Sequence, residues 1–158
     1  VRLASLMLVP LLLAACAPSA TTPSTSSGTR TGLKGPLPTG ETWTISGLDQ
    51  NNNKISGKVK LSGGPTYRDG DRRWDYDGDN GYILYYEKDG GSSTFRVWDV
   101  SDPKRLVACY IFRPFDAAQK TYTGAGLAGT QEEISAVFAK LSGTGTVLTG
   151  GNCTVTRE

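Results

Sequence analysis

Tyr82-Ile83-Leu84-Tyr85-Tyr86, set between the turn formers Asp77-Gly78-Asp79-Asn80-Gly81 and Lys88-Asp89-Gly90-Gly91, is the stretch that decides the fold. An unbroken apolar and aromatic run bounded in this way reads as a strand with large rings on both faces, and such a strand belongs inside a sheet. Its flanks carry the same texture. Trp74 and Tyr76 alternate with polar residues ahead of the first turn, which predicts a hairpin. Phe95, Val97, Trp98 and Val100 form a further strand ended by Ser101-Asp102-Pro103, and Leu106 to Phe112 is nearly continuously apolar up to Arg113-Pro114.

Toward the N-terminus, Trp43 and Ile45 alternate with Thr42, Thr44 and Ser46. After the turn run Asp49 to Asn53, Ile55, Gly57, Val59 and Leu61 alternate with Ser56, Lys58 and Lys60. Both patterns have a period of two, so each strand has one buried face, with the lysines in water. Gly63-Gly64-Pro65 stops the second, and the polar stretch Tyr67 to Arg73 reads as a loop.

Toward the C-terminus, Gly124 to Gly129 lacks the lysine and the strand-to-helix context of a phosphate loop and reads as an ordinary loop. Thr130 and Glu133 have capping-box spacing, and Ile134, Val137, Phe138 and Leu141 then recur at helical intervals. The polar face of this short helix is not basic, so it is expected to pack on the sheet rather than lie on a membrane. Gly143 and Gly145 end it, and Thr146 to Thr149 with Cys153 to Thr156, joined around Gly150-Gly151-Asn152, read as a last hairpin. The expectation is a mainly β domain: an antiparallel meander forming a small barrel or sandwich of about eight strands, with one short amphipathic helix before the last hairpin. Of the two, the meander curling into a barrel is favoured, with the helix closing one end.

Upstream, Leu13-Ala14-Ala15-Cys16 ends an apolar run that follows Arg2, too short and wrongly flanked to span a bilayer. It resembles the lipobox of bacterial lipoprotein signal peptides. That resemblance implies cleavage before Cys16, acylation of Cys16 as the first mature residue, and a lipid-anchored place in the bacterial cell envelope. By the family's sorting habit, Ala17 points to the outer membrane, facing the periplasm. Val1 stands where a methionine is expected, which either a valine-type start codon read literally or a truncated leader would produce. Ala17 to Thr31 is rich in Ser, Thr, Pro and Gly without apolar periodicity and reads as a tether. The expected organisation is a signal peptide over 1–15, lipidated Cys16 and tether over 16–40, and a single β-rich domain over 41–158.

If Cys16 is lipidated, Cys109 and Cys153 remain of three cysteines, and an even pair outside the cytoplasm points to a disulfide. The order of elements is similar to that of the lipocalin superfamily, whose barrels also place a helix late and tie back the C-terminal region. Gly40-Glu41-Thr42-Trp43 has one residue more than that family's Gly-x-Trp signature.

Composition narrows the chemistry. The formal net charge of +2, with Arg2 in the leader and no basic run, gives no nucleic-acid footprint. The chain has no histidine, which removes imidazole zinc sites and Ser-His or Cys-His nucleophile pairs. No catalytic residue and no cofactor is assigned. Carboxylate chemistry would need two converging acids, and Asp99 and Glu87 are explained more cheaply by an edge position or by partners such as Arg96 or Arg105. Asp75, Asp77 and Asp79 alternate like the first half of a calcium loop, but Asn80 holds the place where glycine belongs and the flanks read as strands. The expected reading there is a solvated hairpin tip, with no metal.

The aromatic residues exceed what one interior requires. Trp74, Tyr82, Tyr85, Tyr86 and Trp98 are the candidates for contact with a partner: the helix, a second subunit, an envelope protein, or a small hydrophobic ligand. The function expected is a membrane-anchored envelope lipoprotein with a non-catalytic β domain that binds another envelope component. The alternative is a lipocalin-like carrier of a small hydrophobic ligand.

Overall fold

The computed structural model describes residues 28–144 and 151–158. The chain is mainly β, with strands β1 (Thr29–Thr31), β2 (Thr42–Leu48), β3 (Lys54–Lys60), β4 (Thr66–Arg68), β5 (Arg73–Gly78), β6 (Gly81–Tyr86), β7 (Ser92–Trp98), β8 (Leu106–Ile111), β9 (Thr121–Gly129) and β10 (Gly151–Arg157). One helix, α1 (Gln131–Thr144), precedes the last strand. The ten strands form one antiparallel sheet in the order β1-β4-β5-β6-β7-β8-β9-β10-β2-β3. From β4 to β9 it is a meander. The chain then returns through α1 so that β10 lies between β9 and β2.

The sheet folds over on itself without closing into a barrel. Gly57 of β3 faces Val97 of β7 so closely that an added Cβ would sit 2.9 Å from the Val97 Cβ. A side chain there would hold the two halves apart. The strands β3 and β5 meet only at one corner, through the bridge of Leu61 with Gly78, Ser62 N–H donating to Asp77 O (3.0 Å) and Asp79 N–H donating to Lys60 O (3.1 Å). That corner replaces the continuous ladder a closed barrel would need.

The inner face is filled as the alternation predicts. Trp43 and Ile45 of β2, Val59 of β3, Tyr76 of β5, Ile83 of β6, Phe95 and Val97 of β7, Ile111 of β8, Tyr122 of β9 and Val155 of β10 are fully buried in one cluster. Trp43 packs tilted on Phe95 (centroids 5.2 Å) and edge to face on Phe115 (5.7 Å). Burying rings of this size is the main favourable term in holding the sheet folded.

Cys109 of β8 and Cys153 of β10 are joined by a disulfide across the intervening β9, with Cα atoms 5.8 Å apart. Cys109 lies opposite Gly126 and Cys153 opposite Gly124. In a flat sheet, strands two places apart lie about 10 Å from each other, so the sheet is sharply creased along β9. Gly124 makes the crease feasible: an added Cβ would come 2.1 Å from Tyr110 O.

The glycine-rich Gly124 to Gly129 is not a loop but the second half of β9; its pattern looks irregular because glycine serves the crease. Thr66–Arg68 in the supposed polar loop is β4, whose partner β1 comes from the supposed tether. Leu37, also upstream of Glu41, is 2% exposed in the core and donates its N–H to Tyr76 Oη at 3.0 Å. The folded region therefore begins well before Glu41. Val100 lies beyond β7 in the following loop and is 94% exposed.

The helix does not close an end of a barrel. It lies on the outer face of β8 and β9, where Ile134 joins Leu106, Ala108 and Leu127 in a second cluster, with Trp98, Val137 and Phe138 packed against it. The capping box is formed: Thr130 N–H donates to Glu133 Oε2 (2.8 Å) and Glu133 N–H to Thr130 Oγ1 (3.2 Å). Cys16, the leader, the tether up to 27, the Leu141 side chain and the predicted strand Thr146 to Thr149 lie outside what the structure describes.

Candidate functional site

The five aromatic candidates are divided between the two faces of the sheet, as period-two alternation requires. Tyr85 is buried in the inner cluster and Trp74 packs against its rim. Tyr82, Tyr86 and Trp98 belong to the outer face. Neither a single patch nor a single cavity contains all five.

The outer face carries the denser set. Phe138 of α1 packs on Tyr110 (centroids 5.0 Å, tilted), and Tyr110 meets Phe112 edge to face at 4.4 Å. This row runs from the helix to Phe112, which is 55% exposed. Beside it lies Arg96 of β7, whose guanidinium stands over Tyr82 (5.4 Å) and Phe138 (4.8 Å). The helix thus takes up part of the aromatic surplus, at Trp98 and Tyr110, and leaves part uncovered. Arg96, Tyr110, Phe112 and Phe138 were not among the candidates. The signal available for Tyr110 and Phe112 was their two-residue spacing, with Tyr110 near the end of β8 and Phe112 just past it, which sets both rings on one side.

Beyond the end of β6, Glu87 accepts from Trp74 Nε1 (2.7 Å) and Tyr67 Oη (3.0 Å), and Tyr67 packs tilted on Trp74 at 4.7 Å. Burial pushes the Tyr67 phenol above its ordinary value, with Glu87 adding to the shift. Glu87 is therefore tied to an aromatic pair. Asp99 is likewise a loop acid: it accepts from Ser101 N–H (2.9 Å) and Oγ (2.6 Å), and these bonds hold its carboxyl below the usual range. Neither acid pairs with Arg96, and Arg105 pairs instead with Asp49.

The calcium candidates do not converge. Asp75 is taken up by Arg73 (2.6 Å) and Arg68, Asp79 Oδ1 accepts from Lys60 N–H (2.8 Å), and Asp77 is exposed. A loop that wraps a cation must aim its oxygens at one point; here two of the three are committed elsewhere, and no group of three candidate ligands occurs among the described residues.

A polar cleft of about 320 Å³ lies at the end of β9, lined in part by Asp49, Asn53, Lys104, Arg105, Thr130 and Glu133. Asp49, one of the lining residues, is buried. Its carboxylate accepts from Asn51 N–H (2.8 Å), Asn53 N–H (2.9 Å), Asn53 Nδ2 (3.1 Å) and Arg105 Nη2 (3.3 Å). Burial works to raise its pKa, and the hydrogen bonds from Asn53 and Asn51 with the Arg105 charge outweigh that, leaving it below the ordinary value. Next to it, the Gln50 amide both donates to Ala128 O (2.8 Å) and accepts from Ala128 N–H (3.0 Å), standing in for a neighbouring strand. These bonds satisfy the turn from within and explain the cleft as the seam between the β2–β3 turn and β9.

No family model, curated protein or solved structure matches the chain.

Proposed function

We propose that the protein is an envelope lipoprotein, anchored through acylated Cys16, whose β domain is a non-catalytic module that docks another envelope component on the outer face of β6 to β8. The observation that carries this reading is the aromatic row Phe138, Tyr110 and Phe112, which ends in a large apolar side chain more exposed than buried. An aromatic of this kind, beside an arginine, has the composition of a contact centre. The disulfide supports an oxidising compartment, and the lipobox resemblance supports the anchor.

The docking reading is preferred to the carrier because the inward rings Trp43, Phe95, Phe115 and Tyr122 pack on one another. Native mass spectrometry of the Cys16→Ser chain purified from the periplasm separates the two. The expected result is the bare polypeptide mass. An adduct lost on denaturation would favour the carrier.

A further inference from the structure

We propose that Arg96 is a carboxylate-recognition site, resting on the docking reading above, and that the group it receives is an acidic side chain or chain terminus of the docked partner. Arg96 is 6% exposed, yet no carboxylate among the described residues pairs with it. A buried cation without a counter-ion is costly. What holds it are two ring faces, Tyr82 at 5.4 Å and Phe138 at 4.8 Å, and hydrogen bonds from Nη1 to Tyr82 Oη (2.9 Å) and Ser135 Oγ (3.4 Å).

The position of those bonds assigns the ligand class. Both leave from Nη1, the nitrogen on the Cδ side. Nε is buried without an acceptor, and Nη2 makes no hydrogen bond among the described residues. Nε–H and Nη2–H form the edge of the guanidinium that grips a carboxylate through two parallel N–H···O bonds. The occupied bonds and the rings therefore fix the plane of the guanidinium and leave its bidentate edge unused. Ser135, which is exposed, and Tyr82 and Phe138, which are half-buried, border the guanidinium, and a carboxylate reaches the enclosed Nε edge only by displacing side chains that cover it. The site adjoins the row that ends at Phe112 through their shared Phe138, so one partner segment can fill both.

The test is ¹⁵N NMR of the Arg Nε–Hε signals of the Cys16→Ser chain, titrated at constant pH and ionic strength with sodium acetate, sodium phosphate or sodium chloride. The Arg96 signal is assigned by its loss in Arg96→Lys and, should that variant not fold, by its movement in Tyr82→Phe. The expected result is a saturable downfield shift of that signal with acetate, in the millimolar range for a single small carboxylate, roughly the weak end of specific binding, and none with chloride. A shift no larger than chloride gives, or one with phosphate alone, would overturn the carboxylate assignment. Micromolar acetate binding would overturn the partner-borne source in favour of a free acid. Acetate binding with no partner at Phe112 would leave this site standing and remove the docking reading.

Discussion

Cys109 and Cys153 are bonded across a strand to which neither belongs, with β9 between them and the glycines Gly126 and Gly124 as their respective register partners. The bridge and the crease it spans depend on each other. Two predictions come from this geometry.

The bridge closes a sequence separation of 44 residues, for which loop-entropy reasoning gives about 4 kcal/mol. The Cys109→Ser/Cys153→Ser variant should unfold at clearly lower urea concentration than the parent, with a loss of up to about 4 kcal/mol. Reducing agent should lower the midpoint of the parent and leave the variant unchanged. A parent insensitive to reductant would mean that the bond does not hold the native state.

Gly124→Ala should destabilise by about 1–3 kcal/mol, the usual cost of overpacking, because its new Cβ would meet the backbone oxygen of Tyr110 rather than a movable side chain. Gly63, with nothing within 4 Å of an added Cβ, is the control, and Gly63→Ala should lie within about 0.5 kcal/mol of the parent. Equal effects would show that β9 is not pressed against β8.

Most strands were legible because their two faces differ. β2, β3 and β5 show period two, and β6 and β8 are apolar enough to mark interior strands. The helix announced itself through Thr130 and Glu133. What stayed hidden was non-local. β9 looks like a loop because its glycines answer to Tyr110 and the disulfide, which no window of local sequence contains. β1 and Leu37 look like tether because a three-residue edge strand and one anchoring leucine carry no periodicity. Of the outer face, the surplus rings were visible in β6 and β7, while the guanidinium edge of Arg96 depends on Tyr82 and Ser135, the latter 39 residues away.

The α1 cap can be isolated. Thr130→Ala removes the acceptor of Glu133 N–H and should cost about 1 kcal/mol, whereas Thr130→Ser should lie close to the parent. Chemical denaturation of the three proteins decides it; indistinguishable stabilities for all would show that the cap does not hold the helix.

Asp49 makes stability fall in acid. Its folded-state pKa lies below the ordinary 3.8, so the unfolded chain binds the proton first on acidification. Its contribution is full above the unfolded value, and is lost as the pH falls through the folded one. Asp49→Asn should flatten the stability profile below about pH 4, at a cost near neutrality of about 2 kcal/mol for the weakened bonds to Asn51, Asn53 and Arg105. An unchanged acid limb in the variant would assign that slope to other carboxylates.

The most direct measurement of the docking claim is site-specific photocrosslinking in living cells, with the photoreactive residue placed at Phe112 and, as a control, at Lys58 on the solvated face of β3. One discrete envelope adduct is expected from Phe112 and none from Lys58, with the Phe112 adduct weakened when Arg96 is replaced by lysine. Equal crosslinking from both positions, or none from Phe112, would contradict the docking claim.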